Sequence, residues 1–141
     1  MSGMEYIRAI MDGELPPPPI AVVMRMEPVE IDEGRAIFQG EPGEEHYNPI
    51  GVVHGGYAST LLDSAMGCAV HTTLPAGVAY TTLTLELKFV RPISRDTGAV
   101  RAEAEVIHRG RTQATVEGRL LAADSGKLLA TGTSTCMIIG A

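Results

Sequence analysis

The stretch "NPIGVVHGGYASTLLDSAMGCAV", residues 48–70, decides the fold. Within it, Ala58, Leu61, Leu62, Ala65, Met66 and Ala69 recur at helical spacing and form a wide apolar face. The spacing predicts one long helix over about Gly55 to His71, closed off by Pro75 and Gly77. One residue breaks the pattern. Asp63 is the sole Asp, Glu, Lys or Arg between His46 and Leu85. A carboxylate is costly to bury unless it finds a partner. A helix built for an interior therefore has a reason to carry it, either a structural hydrogen bond or chemistry.

Downstream of this helix the period changes to two. In "TTLTLELKFVRP", Leu83, Leu85, Leu87 and Phe89 alternate with Thr84, Glu86 and Lys88. "AVRAEAEVI", "RTQATVEGRLLA" and "KLLATGTSTCMII" read as further strands, separated by the turn segments "SRDTG", "HRGR" and "DSG". No crossover helix divides the last three, so they form an antiparallel meander. Upstream, residues 3–13 suit a short amphipathic helix, with Ile7, Ile10 and Met11 on one side. Pro16 to Pro19 ends it as a stiff connector. Ile20 to Ile31 reads as a strand and Arg35 to Gln39 as a second. A single apolar helix cannot bury itself in water. The simplest solution wraps one curved antiparallel sheet of about six strands around it, an α+β arrangement known as the hotdog fold. Residues 1–19 are then an N-terminal helix and connector, and 20–141 the hotdog domain.

At 141 residues the chain is long enough for a core of its own. Its net charge of −6 and 11 scattered basic residues argue against nucleic-acid or anionic-membrane binding. No run reaches transmembrane length, and the N-terminus has no signal-peptide pattern, so a soluble cytoplasmic protein is expected. Cys68 and Cys136 lack metal-ligand spacing and read as buried thiols. No metal site and no cofactor are expected.

The segment "HYNPIGVVHGGYASTLLDSAMGCAV" closely resembles the helix-entry motif of hotdog acyl-CoA thioesterases of the phenylacetate-degradation (PaaI) type. The motif residues are Asn48, Gly51, His54-Gly55-Gly56 and Asp63. "YTTLTLELKFVRPISRDTG" and "HRGRTQATVEGRL" are similar to the family's third to fifth strands, and the resemblance runs from about residue 20 to the end. It implies hydrolysis of an acyl-CoA thioester. That chemistry needs N–H donors aimed at a developing oxyanion, and a helix N-terminus supplies them. Gly55 and Gly56, without side chains, admit a ligand carbonyl to the backbone, although two glycines also suit a tight turn. Asp63 is the expected general base or nucleophile.

Gly55 and Asp63 are eight residues apart, about 12 Å along one helix. One carbonyl cannot lie ~3 Å from both. If both act, they come from different chains, in a homodimer with shared sites. The resemblance implies the same, with dimers joined edge to edge and often paired again into tetramers. It also implies that Asn48 stands near the reacting carbonyl and that Thr82 orients water. An Asn turn before Pro49 and a β-branched strand residue are the plain alternatives. His54 suits a structural hydrogen bond better than a base. His46, His71 and His108 read as loop or surface residues.

For coenzyme A, the turn Arg109-Gly110-Arg111 offers forked donors to phosphates, with Arg91 and Arg95 as further candidates. An ordinary charged hairpin tip carries equal weight. The acyl group is expected near Tyr57, Leu61 and Met66, capped by the N-terminal helix. Two other classes remain open, a hotdog enoyl-thioester hydratase or dehydratase and a non-catalytic acyl-CoA-binding module. Ser59 and Ser64 lack a G-x-S-x-G elbow, which disfavours serine hydrolysis.

Overall fold

The computed structural model describes residues 1–140. The elements run α1 (Gly3–Met11), α2 (Pro19–Val23), β1 (Met26–Asp32), β2 (Arg35–Gly40), α3 (Gly55–His71), β3 (Ala79–Phe89), β4 (Val100–Arg109), β5 (Gln113–Ala122) and β6 (Leu128–Ile139). The six strands form one sheet in the order β1-β2-β4-β5-β6-β3, with every pair antiparallel. β4, β5 and β6 are the meander. β3 joins its far side, next to β6, so the chain must cross the whole sheet between β2 and β3. α3 makes that crossing and touches all six strands, which requires a sheet curled around it.

The predicted apolar face is the buried one. Ala58, Leu61, Leu62, Ala65, Met66 and Ala69 all face the core. The sheet makes room for them with small residues. Ala36, Ala104, Gly118 and Gly132 lie side by side on β2, β4, β5 and β6. A Cβ on Gly118 would stand 3.2 Å from both Leu62 and Met66. One on Gly132 would stand 2.5 Å from Leu87 and 3.4 Å from Met66. Gly132→Val therefore overpacks the helix–sheet contact. It is expected to cost about 1–3 kcal/mol, read as a lowered thermal midpoint.

Two local expectations are corrected. Residues 20–31 do not form one strand. Pro19 occupies the first turn of α2, where its fixed φ suits a helix. The run Ile20-Ala21-Val22-Val23 follows it for one turn, with Ala21 buried. Arg25 then turns the chain with φ 48°, and β1 begins at Met26. The β-branched run has strand propensity but no strand beside it to pair with. His46, expected in a loop or at the surface, sits in a short 3-10 turn and is only 7% exposed. Its Nδ1 accepts the Gly43 N–H (2.9 Å), so its Nε2–H donates to the Val23 carbonyl (2.7 Å). It packs on Tyr57 with ring centroids 4.7 Å apart.

β3 is an edge strand of 11 residues with neighbours on one side only. Leu83, Leu85 and Phe89 are 46%, 38% and 56% exposed on it. A long apolar edge is a ready template for pairing with another chain. Among the described residues, no helix is long and apolar enough to cross a membrane.

Candidate active site

Asp63 lies on the flank of α3 that faces β3. Its Oδ1 accepts a hydrogen bond of 2.9 Å from Thr82 Oγ1. Behind Thr82, in register on β6, is the buried Cys136. The carboxylate is half-buried and has a neutral partner, which leaves Oδ2 and part of its surface for a ligand. Cys68, five residues further along α3, feels both burial and the Asp63 charge, which together push its thiol up to about 12. It stays a neutral thiol.

Gly55 opens α3, about two turns before Asp63. His54 is the N-cap, and its Nδ1 accepts the Gly56 N–H at 2.7 Å. This engages His54 structurally and takes the Gly56 N–H out of play. The donor left at the helix start is the Gly55 N–H. A Cβ on Gly55 would come within 3.3 Å of the Phe89 ring. Gly55, Ala58, Phe89, Arg91 and Ile93 border a cavity of about 340 Å³.

Asn48 holds the turn that leads into α3. Its Oδ1 accepts the N–H groups of Ile50 (3.1 Å) and Val52 (3.2 Å). The turn role weighed from sequence is thus present, and Gly51 completes it with φ 86°. Arg91 borders the Gly55 cavity and donates to the Leu128 carbonyl at 3.1 Å. Arg95 pairs with Glu44 at 3.4 Å, in an exposed ion pair of little energetic weight. Arg109 donates to the Gly110 carbonyl at 3.2 Å, and Arg111 is exposed. Register connects this turn to the carboxylate, because Thr82, Cys136, Ala114 and Arg109 are successive partners on β3, β6, β5 and β4. Three strand spacings separate Arg109 from Thr82, roughly 14 Å.

The chain therefore gathers two separate groups of candidate residues. Asp63 meets Thr82 at the middle of α3, and Gly55 lies with Phe89 and Arg91 at its start. Tyr57, Leu61 and Met66 belong to neither. They are 2%, 1% and 0% exposed and face the sheet, with Tyr57 and Leu61 against Gly40 and Met66 against Gly118 and Gly132. Sequence reasoning missed Phe89 and Cys136. Alternation along β3 and pairing to β6 could have flagged both.

The profile of the thioesterase superfamily matches residues 50–129, more than half of the chain. The chain belongs to the thioesterase superfamily. Human acyl-coenzyme A thioesterase 13 is 30% identical over 102 residues, which is 72% of this chain and 71% of that protein. A Halobacterium salinarum protein named as a candidate esterase is 40% identical over 78 residues, 54% of this chain. The match spans 46% of that relative, less than half its length. Among solved structures, a phenylacetic acid degradation-related protein of Ralstonia eutropha, described as a candidate thioesterase, superposes with a TM-score of 0.84. The two are 34% identical, over 94% of this chain and 98% of that one. The superfamily member described here thus has the hotdog architecture and the PaaI-like relationship read from its motif.

If Thr82 orients the reacting water through Asp63, Thr82→Ala should lower kcat about tenfold, a loss of about 1.4 kcal/mol of transition-state stabilisation, with Thr82→Ser close to wild type. Steady-state thiol release measured on both variants checks this. Equal rates for Ala and Ser would reduce Thr82 to a strand residue.

Proposed function

We propose that the chain hydrolyses acyl-coenzyme A thioesters to the free acid and coenzyme A, at sites shared by two copies of itself. The observation that carries this is the half-buried Asp63 carboxylate hydrogen-bonded to Thr82, on the one long helix of a thioesterase-superfamily fold. Asp63 takes a proton from water through its free oxygen. The water oxygen bonds to the thioester carbon, and the Gly55 N–H stabilises the oxyanion at the helix N-terminus. The C–S bond then breaks, and the thiolate leaves with the proton held by Asp63. Direct attack by Asp63 would give a mixed anhydride instead. A single turnover in ¹⁸O-water separates water activation from direct attack in which water then cleaves the anhydride at the Asp63 carboxyl carbon, because that cleavage leaves an enzyme oxygen in the first product and ¹⁸O on Asp63.

Register along β3 supports a shared site. Thr82 marks the Asp63 end of this strand and Phe89 the Gly55 end, roughly 23 Å apart. A two-fold axis between Leu85 and Glu86 pairs the free edges of two β3 strands antiparallel. It sets Thr82 of one chain opposite Phe89 of the other, and so Asp63 near a partner's Gly55. The exposed Leu83 and Leu85 support an interface there. The same axis gathers Arg91 of one copy and Arg109 and Arg111 of the other around one site, where they can meet the phosphates of coenzyme A. Asn48 supports the Gly55 half through its turn.

A panel of acyl-CoAs with a thiol-detecting reagent tests the function. The expected result is thiol release by the wild-type protein and its loss in Asp63→Asn. Tight acyl-CoA binding without thiol release would make the protein a ligand sensor. Hydration of an enoyl-CoA without free thiol would make it a hydratase.

A further inference from the structure

We infer that residues 2–24 form a specificity lid that closes the acyl-group subsite, and that His71 at its far end, with Tyr80 on the path to it, reads a neutral hydrogen-bonding group on the acyl chain. This rests on the reading of Asp63 and Thr82 as the hydrolytic centre. A cavity of about 470 Å³ lies between the N-terminal segment and α3, within the usual size of a ligand pocket. The lid side is apolar and includes Ile7, Ile10 and Ala21. The α3 side is the stripe Ser64, Cys68 and His71, at i, i+4 and i+7.

The cavity adjoins the carboxylate. Ser64 follows Asp63 in the helix. Tyr80 precedes Thr82 by two residues on β3, so both point to the same face about 7 Å apart. Tyr80 also lies over Gly67, where a Cβ would stand 2.9 Å from its ring. An acyl group whose carbonyl sits at Asp63 has this space directly beyond it. Tyr57, Leu61 and Met66 face the sheet, away from this cavity.

The far end is aromatic and polar. The His71 ring lies 5.8 Å from Tyr6 and 5.3 Å from Tyr80, centroid to centroid. Among the described residues, no protein group hydrogen-bonds the His71 ring or the Tyr80 hydroxyl. Burial lowers the His71 pKa, so at neutral pH the ring is uncharged, with one donor and one acceptor. It suits a hydroxyl or keto group and gives a terminal carboxylate no counter-charge.

The lid is pinned. The Gly3 N–H donates to the Leu74 carbonyl at 3.0 Å. A Cβ on Gly3 would fall 1.8 Å from the His71 carbonyl oxygen, so only glycine lets α1 dock so closely. A capping box between Ser2 and Glu5 fixes the start of α1. The superfamily match starts at residue 50, so the lid lies outside the matched part of the chain.

The chain has no tryptophan, so Met11→Trp places a single reporter on the cavity wall. In an Asp63→Asn background its emission is titrated with acetyl-, octanoyl- and ω-hydroxyoctanoyl-CoA. The expected result is a blue shift with the two long acyl groups and none with acetyl. In kinetics, Cys68→Phe should raise KM for octanoyl-CoA about tenfold more than for acetyl-CoA, and His71→Phe should erase a preference for ω-hydroxyoctanoyl over octanoyl. Ile10→Trp fills the same space from the lid side and serves if Cys68→Phe does not fold. No shift with octanoyl-CoA, or equal KM changes for acetyl and octanoyl, overturns the lid. Equal handling of the two long substrates by the wild type overturns the role of His71. If the wild type releases no thiol from any substrate, the hydrolytic reading fails, while the tryptophan titration still decides the cavity.

Discussion

Asp63→Asn should lower kcat by on the order of 10²–10⁴, the usual scale of a lost general base. Asparagine nearly copies the shape of aspartate and keeps the Oδ1 that accepts the Thr82 hydroxyl at 2.9 Å. The helix, its burial and the Thr82 contact should survive, so unchanged circular dichroism and thermal midpoint are part of the expected result. What disappears is the free carboxylate oxygen that takes the proton. KM should change little, because an interaction used only in the transition state affects kcat and kcat/KM alike. The position also makes the variant informative. In a stretch otherwise free of charge from His46 to Leu85, a purely structural carboxylate gains nothing over an amide. Near wild-type turnover in a folded Asp63→Asn protein would return Asp63 to that structural role.

The parts of the fold that follow from periodicity are legible in the sequence. The apolar stripe of α3 fixed both its span and its buried face, and alternation in the last strands gave the antiparallel meander. The short helix at Pro19–Val23 was not legible, because its β-branched residues favour a strand and only the absence of a pairing neighbour makes them a helical turn. Asp63 could be found from charge alone, since it interrupts a neutral segment. Thr82 could not. Its hydrogen bond to Asp63 joins β3 to α3 across 19 residues of sequence, a tertiary contact that strand alternation does not specify. Tyr57, Leu61 and Met66 show the limit of helical spacing. It groups residues on one face but does not say whether the face meets the sheet or a ligand. The cavity stripe Ser64, Cys68 and His71 has the same spacing, yet it sits on a different flank and is wetter in composition.

Mixing two inactive variants should restore activity if the sites are shared. Gly55→Val puts a side chain against the Phe89 ring, which leaves only 3.3 Å even for a Cβ, and crowds the N–H that would hold the oxyanion. Asp63→Asn removes the base. In a mixed dimer the intact Gly55 of the Asp63→Asn chain faces the intact Asp63 of the Gly55→Val chain, so one composite site is whole and the other carries both defects. Denatured together in equal amounts and refolded, half the dimers are mixed and each holds one working site, so activity should recover to about a quarter of wild type. Each variant refolded alone should stay inactive. The alternative gives a different number. If Gly55 and Asp63 served one chain, every site in the mixture would carry a defect and no activity would return. The ~12 Å of helix between them already weighs against that arrangement, because the oxyanion donor and the base must both reach the same carbonyl carbon. A charge-introducing Leu85→Glu on the free edge of β3 separates assembly from chemistry. Added to either variant, it should abolish the recovered activity and shift the protein to monomer in size-exclusion chromatography.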